Sequence, residues 1–245
     1  MLGKLFVIGT FDQDVSALPA VDLMRCLVAA GVPPAGVIFK RSLGADNPPR
    51  PVLAEAASGC SALHVNDFNN PEVVARVAAL QPDLLVYAGG RDLLRPPLLS
   101  TARLGCLGGH YGRLPEVRGM GTVEWSVIIG EPPAVAIQRI SRGIDTGDIV
   151  MQARVPLTTG DNFAAIRDRS YYMTKVMLAV AAKRVLVDGI TGTPQQGAAG
   201  RQFFRLHPAL QQMAERALQR HVTGLRDDWH GHVVPMVDLD GAQHQ

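Results

Sequence analysis

The sequence predicts an α/β fold with a mostly parallel sheet, helices on both faces and a short helical C-terminal extension. Two observations support this prediction. Short apolar runs alternate with segments whose apolar residues recur at helical spacing. The chain also has 245 residues, 47% of them hydrophobic and 19% charged, which suffices for one large domain with an appendage.

The first half of the chain supplies most of the parallel sheet. Buried strands are predicted at residues 5–10, 36–40, 62–65, 83–88 and 106–110, because short continuous apolar runs are typical of parallel strands. Helices are predicted at 18–30, 52–57 and 71–80, and a loop at 41–51. Ligands of such Rossmann-like sheets bind beyond the C-terminal ends of the strands, where Gly89, Gly90 and His110 are expected.

The second half is organised differently. A helix at 120–129 precedes two strands, 135–140 and 149–156, which flank the loop that carries Asp145. A long amphipathic helix is predicted at 164–187 and a final helix at 206–222. We therefore expect a main domain over residues 1–190, a linker over 191–200, and a helical extension with a polar tail over 201–245.

The overall charge and composition argue against several classes of partner. A net charge of +2 is too small to indicate nucleic acid or an anionic membrane surface as a partner. The chain lacks an apolar run long enough to span a membrane, and its N-terminus is too short for a signal peptide, so we expect a cytoplasmic protein. The spacing of cysteines and histidines does not indicate a metal site. The oligomeric state is not predicted.

Two glycine-rich segments carry the candidate chemistry. The first is Gly105-Cys106-Leu107-Gly108-Gly109-His110, followed by Leu114-Pro115 and Arg118-Gly119; the second is Gly143-Ile144-Asp145-Thr146-Gly147. Together they resemble the signature of the folate-dependent formyltransferases, which include methionyl-tRNA, glycinamide ribonucleotide and sugar N-formyltransferases. That family reads Gly-Cys-(Ile/Leu)-Asn-x-His in the first segment and places an Asp in the second. This chain has Gly108 where the family has Asn.

The resemblance implies the formyltransferase fold and a catalytic set of His110, Asp145 and the position of Gly108. It also implies transfer of a formyl group from 10-formyltetrahydrofolate to an amine. A histidine beside a carboxylate is protonated more readily and can donate to the oxygen that becomes negatively charged. The carboxylate can take the proton that the attacking amine loses.

The resemblance assigns further residues to the binding of substrates. The residues expected to bind the pterin ring are Gly90, Arg91, Asp92, Leu93 and Leu94 on one side, and Ser141, Arg142, Gly143 and Ile144 on the other. Arg118 either has a structural role or holds an anionic part of the acceptor. Tyr111 is a second candidate for substrate binding.

Gly108 leaves three possibilities open. The enzyme could be active in a site rebuilt around Gly108, with a backbone N–H or Tyr111 as substitute donor. It could be a catalytically impaired relative that only binds ligands, or a folate-independent enzyme that uses His110 and Asp145. Loss of one oxyanion donor typically costs about 10²–10³-fold in rate. The expected acceptor is an amine of a small molecule or of a nucleotide-linked amino sugar, because few residues follow position 190 and the charge does not favour RNA.

Overall fold

The computed structural model describes residues 3–11, 17–41, 60–90, 92–196 and 200–223. Most of the loop predicted at 41–51 lies outside these ranges. The helix predicted at 52–57, Arg91 and the polar tail beyond residue 223 also lie outside them.

Every predicted strand and helix that lies within the described residues is present in the predicted order, and three short elements were not predicted: Pro96–Leu99, Val117–Gly119 and Arg201–Phe203. The strands are β1 (Leu5–Phe11), β2 (Gly36–Arg41), β3 (Ser61–Val65), β4 (Leu84–Gly89), β5 (Cys106–His110), β6 (Val117–Gly119), β7 (Ala134–Arg139), β8 (Ile149–Arg154) and β9 (Arg201–Phe203). The α-helices are α1 (Ala17–Ala29), α2 (Pro71–Ala79), α3 (Pro96–Leu99), α4 (Thr122–Ile129), α5 (Phe163–Lys183) and α6 (Gln211–Thr223).

Seven strands form one sheet in the order β3-β2-β1-β4-β5-β7-β8. β1 pairs in parallel with β2 and β4, β2 with β3, and β4 with β5, whereas β7 and β8 are antiparallel. The predicted fold class, a mostly parallel α/β sheet, is therefore confirmed.

Helices cover the sheet because successive residues of each buried strand face opposite sides. On one side, Phe6, Ile8 and Ile38 form a core cluster with Val73 and Val77 of α2. The alternate residues of the same strands, which include Leu5, Val7 and Val37, are also buried, and α1 packs against β1 and β4. Near-continuous apolar runs in the sequence correspond to this burial on both faces.

The chain divides into two compact units. The first comprises Met1–Gly109, Arg139–Arg142 and Lys175–Thr191. The second comprises His110–Gln138, Gly143–Thr174 and Gly192–Gln245.

A short two-stranded sheet in the second unit was not anticipated from the sequence. β6 and β9 pair in parallel, with Val117 opposite Arg201 and Gly119 opposite Phe203. A Cβ on Gly119, whose φ is +97°, would lie 2.1 Å from the carbonyl oxygen of Phe203, so only glycine allows this approach. Three-residue strands carry too weak a periodicity to be predicted from sequence.

The long and the final helices differ slightly from their predicted bounds. α5 ends at Lys183 and continues as a π-helical turn over Arg184–Asp188. The final helix begins with a 3₁₀ turn at Pro208–Leu210, before α6. Among the helices of the described ranges, none has both the length and the apolar composition that crossing a bilayer requires.

Candidate active site

His110, the last residue of β5, is buried between two hydrogen-bond acceptors. Its side chain is 7% exposed. Nε2 lies 2.7 Å from the carbonyl oxygen of Val117, and Nδ1 lies 3.4 Å from Oδ2 of Asp145. The carbonyl can only accept, so Nε2 carries a proton in this arrangement. A ring flanked by two acceptors donates from both nitrogens only when it is protonated.

Asp145 is held by hydrogen bonds to both carboxylate oxygens. Oδ2 accepts from the backbone N–H of Gly119 at 2.9 Å, and Oδ1 accepts from Nε2 of Gln138 at 2.8 Å. Its backbone has φ of +52°, in the left-handed region that aspartate tolerates better than most residues. The carboxylate is consequently fixed in orientation towards His110.

The loop that carries Asp145 is held by two glutamines. Oε1 of Gln138 accepts from the N–H of Gly147 at 3.1 Å. Nε2 of Gln195 donates to the carbonyl oxygens of Asp145, at 3.1 Å, and Gly147, at 2.7 Å. Gln195 belongs to the stretch predicted as a linker. Its neighbour Thr193 exchanges two backbone hydrogen bonds with Ile149.

Gly108 lies in β5, opposite Tyr87 of β4, and is buried. A Cβ built on Gly108 would lie 2.8 Å from Cδ1 and 2.9 Å from Cγ1 of Ile140. Ile140 is partly buried against the core cluster, and its N–H donates to the carbonyl oxygen of Cys106 at 2.7 Å. The space beside Gly108 is thus filled by the side chain of Ile140.

Gly112 is a second glycine that lies close to the site. A Cβ there would lie 2.6 Å from the carbonyl oxygen of Val117 and 2.7 Å from Nε2 of His110. The contact between His110 and Val117 therefore depends on glycine at position 112.

Tyr111 is half-buried, and its polar groups are hydrogen-bonded within its own unit. Its hydroxyl is hydrogen-bonded to the side chain of Thr174, and its carbonyl oxygen accepts from the hydroxyl of Thr122. Burial raises the pKa of Tyr111. Arg118 lies in β6, between the two residues whose backbone contacts His110 and Asp145. Among the described residues, its buried Nε has no hydrogen-bond partner.

The loop after β4 contains the first group of predicted cofactor residues. A Cβ on Gly90, whose φ is +144°, would lie 2.6 Å from the hydroxyl oxygen of Tyr87. Asp92 accepts hydrogen bonds from the hydroxyl of Thr10 and the amino group of Lys40. The carbonyl oxygen of Leu93 accepts from Asn69 at 2.9 Å. This loop is therefore held in place by side chains that precede it in the chain.

The remaining predicted cofactor residues differ in exposure. The side chain of Leu94 is 6% exposed and belongs to the core cluster, whereas Leu93 is 69% exposed. Ser141 is half-buried and precedes Arg142, Gly143 and Ile144, which are exposed. Arg91 lies outside the described residues.

His110 and Asp145, which were named together from the sequence, lie 3.4 Å apart, whereas the residues that position them were not predicted. Gln138 was overlooked, although a polar residue after the apolar run at the start of the strand predicted at 135–140 is a usable signal. Val117 contributes through its backbone, so side-chain identity gives no sign of its part. Gly119 was quoted with the motif, but the hydrogen bond from its N–H to Asp145 was not predicted. The contacts of Gln195 and Ile140 depend on the folded arrangement.

The protein has a mostly parallel α/β sheet and, at the end of β5, a buried histidine that faces an aspartate. These features define it as an α/β protein with a histidine–aspartate site. The family is given by comparison: the formyl transferase family model matches residues 35–181, more than half of the chain, and the chain belongs to this family. Its general reaction is formyl transfer.

Individual relatives agree with this assignment. The chain is 33% identical over 182 residues to a methionyl-tRNA formyltransferase of Chloroflexus aggregans, across 72% of this chain and 59% of the relative. It is 27% identical over 200 residues to the enzyme of the same name from Halorhodospira halophila, across 80% of this chain and 63% of the relative. The chain thus spans less than two thirds of the length of these relatives.

Solved structures share the fold. Glycinamide ribonucleotide transformylase 1 from Symbiobacterium toebii is 24% identical with a TM-score of 0.61, and the match covers 77% of this chain and 89% of that one. A sugar N-formyltransferase from a Shewanella species is 19% identical with a TM-score of 0.60, and the match covers 82% and 76%. At these identities the likeness concerns the fold alone.

Proposed function

We propose that this chain transfers a formyl group from 10-formyltetrahydrofolate to an amine of a small molecule or of a nucleotide-linked amino sugar, in a site rebuilt around Gly108. The observation that carries the proposal is the pair of His110 and Asp145, whose facing atoms are 3.4 Å apart. Both oxygens of the carboxylate are already occupied by N–H donors, so the pair is organised before any ligand binds.

The two residues have different roles in this proposal. The bound donor supplies an electrophilic formyl carbon. His110 is proposed to donate the Nε2 proton, which the carbonyl oxygen of Val117 accepts in the absence of ligand, to the formyl oxygen as negative charge develops there. Asp145 takes the proton that the attacking amine loses, directly or through a water molecule. The same proton passes to the tetrahydrofolate nitrogen as its bond to the formyl carbon breaks, which releases tetrahydrofolate.

The donor is proposed to bind through the residues named from the sequence: Gly90, Arg91, Asp92, Leu93, Leu94, Ser141, Arg142, Gly143 and Ile144. Support comes from the loop after β4, where Gly90 leaves no room for a side chain and Asn69 holds the carbonyl of Leu93. A main-chain segment that is held in one conformation fits a planar ring that binds to backbone groups. Leu94 can contribute only through its backbone, because its side chain lies in the core.

The acceptor is proposed to carry an anionic group that Arg118 binds. A guanidinium N–H that is buried without a partner is costly, and a phosphate or carboxylate would satisfy it. Tyr111 is proposed to shape the acceptor site rather than to donate, because its hydroxyl is already bonded to Thr174.

A second candidate function is ligand binding without turnover. Ile140 stands where a side chain at position 108 would be, so the site has an apolar group in place of an amide donor. This observation favours an impaired relative that retains the donor site.

Turnover distinguishes the two candidates. The assay follows tetrahydrofolate released from 10-formyltetrahydrofolate across nucleotide-linked amino sugars, small amines and methionyl-tRNA. With the best acceptor, we expect His110→Ala to lower kcat by about 10²–10⁴-fold, and His207→Ala, an exposed histidine in the second unit, to retain the parent rate. Equal turnover in His110→Ala and parent would exclude the proposed mechanism. No turnover with any acceptor, together with binding of 5-formyltetrahydrofolate, would favour the binding protein.

A further inference from the structure

We propose that Ile140 is a positioning residue that occupies the place of the missing amide donor, and that Gly108 and Ile140 therefore act as a matched pair. This inference rests on the proposed function for its effect on turnover. Its effect on packing can be measured without any activity.

The side chain of Ile140 lies where a side chain at position 108 would begin. A Cβ on Gly108 would lie 2.8 Å from Cδ1 and 2.9 Å from Cγ1 of Ile140, closer than carbon atoms approach in folded proteins. The φ of Gly108 is not in the left-handed region, so its backbone does not require glycine. The side chain of Ile140, and not the backbone conformation of Gly108, therefore opposes a side chain at this position.

Two contacts hold Ile140 in its position beside Gly108. Its backbone N–H is bound to the carbonyl oxygen of Cys106, two residues before Gly108 in β5. Its side chain packs against the buried cluster that contains Cys106 and Leu85. Relief of the overlap therefore requires a rotamer change against a packed core, which is costly.

Ile140 also changes the chemical character of the space beside position 108. The isoleucine side chain offers no hydrogen bond, so the surroundings of position 108 are apolar on this side, where the family signature places an amide. Ile140 also directly precedes Ser141, the first residue of the second predicted cofactor segment. Replacing Gly108 alone would consequently disturb the site before it could add a donor.

The test is a double-mutant cycle on the full chain. Gly108→Asn alone should lower Tm by about 5 °C through overpacking. In the Ile140→Ala background, which removes every atom beyond Cβ, the same change should leave Tm unchanged or raise it. Gly160→Asn serves as a control, because a Cβ there meets no atom within 4 Å. An equal loss of Tm from Gly108→Asn in both backgrounds would overturn the proposal.

Turnover adds a readout that packing alone would not move. If the parent transfers formyl groups, Gly108→Asn/Ile140→Ala should exceed Ile140→Ala in kcat by about tenfold or more. The matched control is Gly108→Leu/Ile140→Ala, which fills similar space without an N–H and should show no gain. A double variant no faster than Ile140→Ala would contradict the assignment of Ile140 to the donor's place.

Failure of the two proposals can be told apart. If the parent shows no turnover with any acceptor but the Tm changes are non-additive, the proposed reaction is wrong and the pairing of Gly108 with Ile140 is supported. If the parent is active but the Tm changes are additive, the proposed reaction is supported and the pairing of Gly108 with Ile140 is wrong.

Discussion

Lys175 of α5 carries a buried amino group that should make stability depend on pH. The residue is 4% exposed, and Nζ donates a 2.7 Å hydrogen bond to the carbonyl oxygen of Ala88 in β4. Burial lowers the pKa of Lys175 from 10.5 to about 8, and the nearby Asp22 and Cys26 of α1 oppose this shift only in part. The amino group is therefore charged in a poorly solvated position at neutral pH.

The sign of the effect follows from proton binding. Between pH 8 and pH 10.5 the unfolded chain binds a proton at this lysine that the folded chain lacks, so the free energy of unfolding rises with pH. At about 1.4 kcal/mol per pH unit, Lys175 should contribute a rise of about 3 kcal/mol across this window. That contribution is complete above pH 10.5 and is lost as the pH falls through 8.

Lys175→Met keeps an unbranched apolar stem and removes the titrating group. Urea unfolding of parent and variant from pH 7 to pH 10.5, under reducing conditions, should show the free energy of unfolding of the parent rising relative to that of the variant by about 3 kcal/mol. Lys183→Met, an exposed lysine of the same helix, should stay parallel to the parent. If the Lys175→Met and parent curves ran parallel over the whole range, the reasoning from burial would be refuted.

Two further predictions concern buried or bonded carboxylates. Burial alone would raise the pKa of Asp161, but hydrogen bonds from Arg169, at 2.8 and 2.9 Å, and from the N–H of Thr158 hold it below its usual value. Asp161→Asn should lower the free energy of unfolding at pH 7 by about 2 kcal/mol. The variant should also lack the loss of stability that the parent shows below about pH 4. Thermal unfolding at pH 7 and below about pH 4 measures both effects, with the exposed Asp168→Asn as control. Asp92→Ala should weaken binding of 5-formyltetrahydrofolate about tenfold by releasing the loop after β4; calorimetric titration measures it, and unchanged affinity would contradict the proposed loop role.

The sheet could be predicted from the sequence because its strands are buried on both faces. An apolar run such as Leu84–Gly89 admits few alternatives, and β5 was predicted with its observed bounds, Cys106–His110. The pairing of β6 with β9 could not be predicted in the same way. It depends on the close approach of Gly119 to Phe203, two segments far apart in the chain.

His110, Asp145 and the anomaly at Gly108 were visible in the sequence, because a motif records residue types in order. Their surroundings were not. The backbone groups of Val117 and Gly119 that hold the pair have no side-chain signature. Tyr111, a candidate donor by proximity in sequence, is instead bonded to Thr174 of α5.

By itself, the sequence determined the family and the parallel sheet and indicated the histidine and aspartate as candidates, because the apolar pattern and the order of motif residues are local properties of the chain. Only the tertiary structure decided what fills the space beside Gly108. A missing side chain leaves no record of its replacement in sequence, because Ile140 lies thirty-two positions away and reaches Gly108 through packing alone.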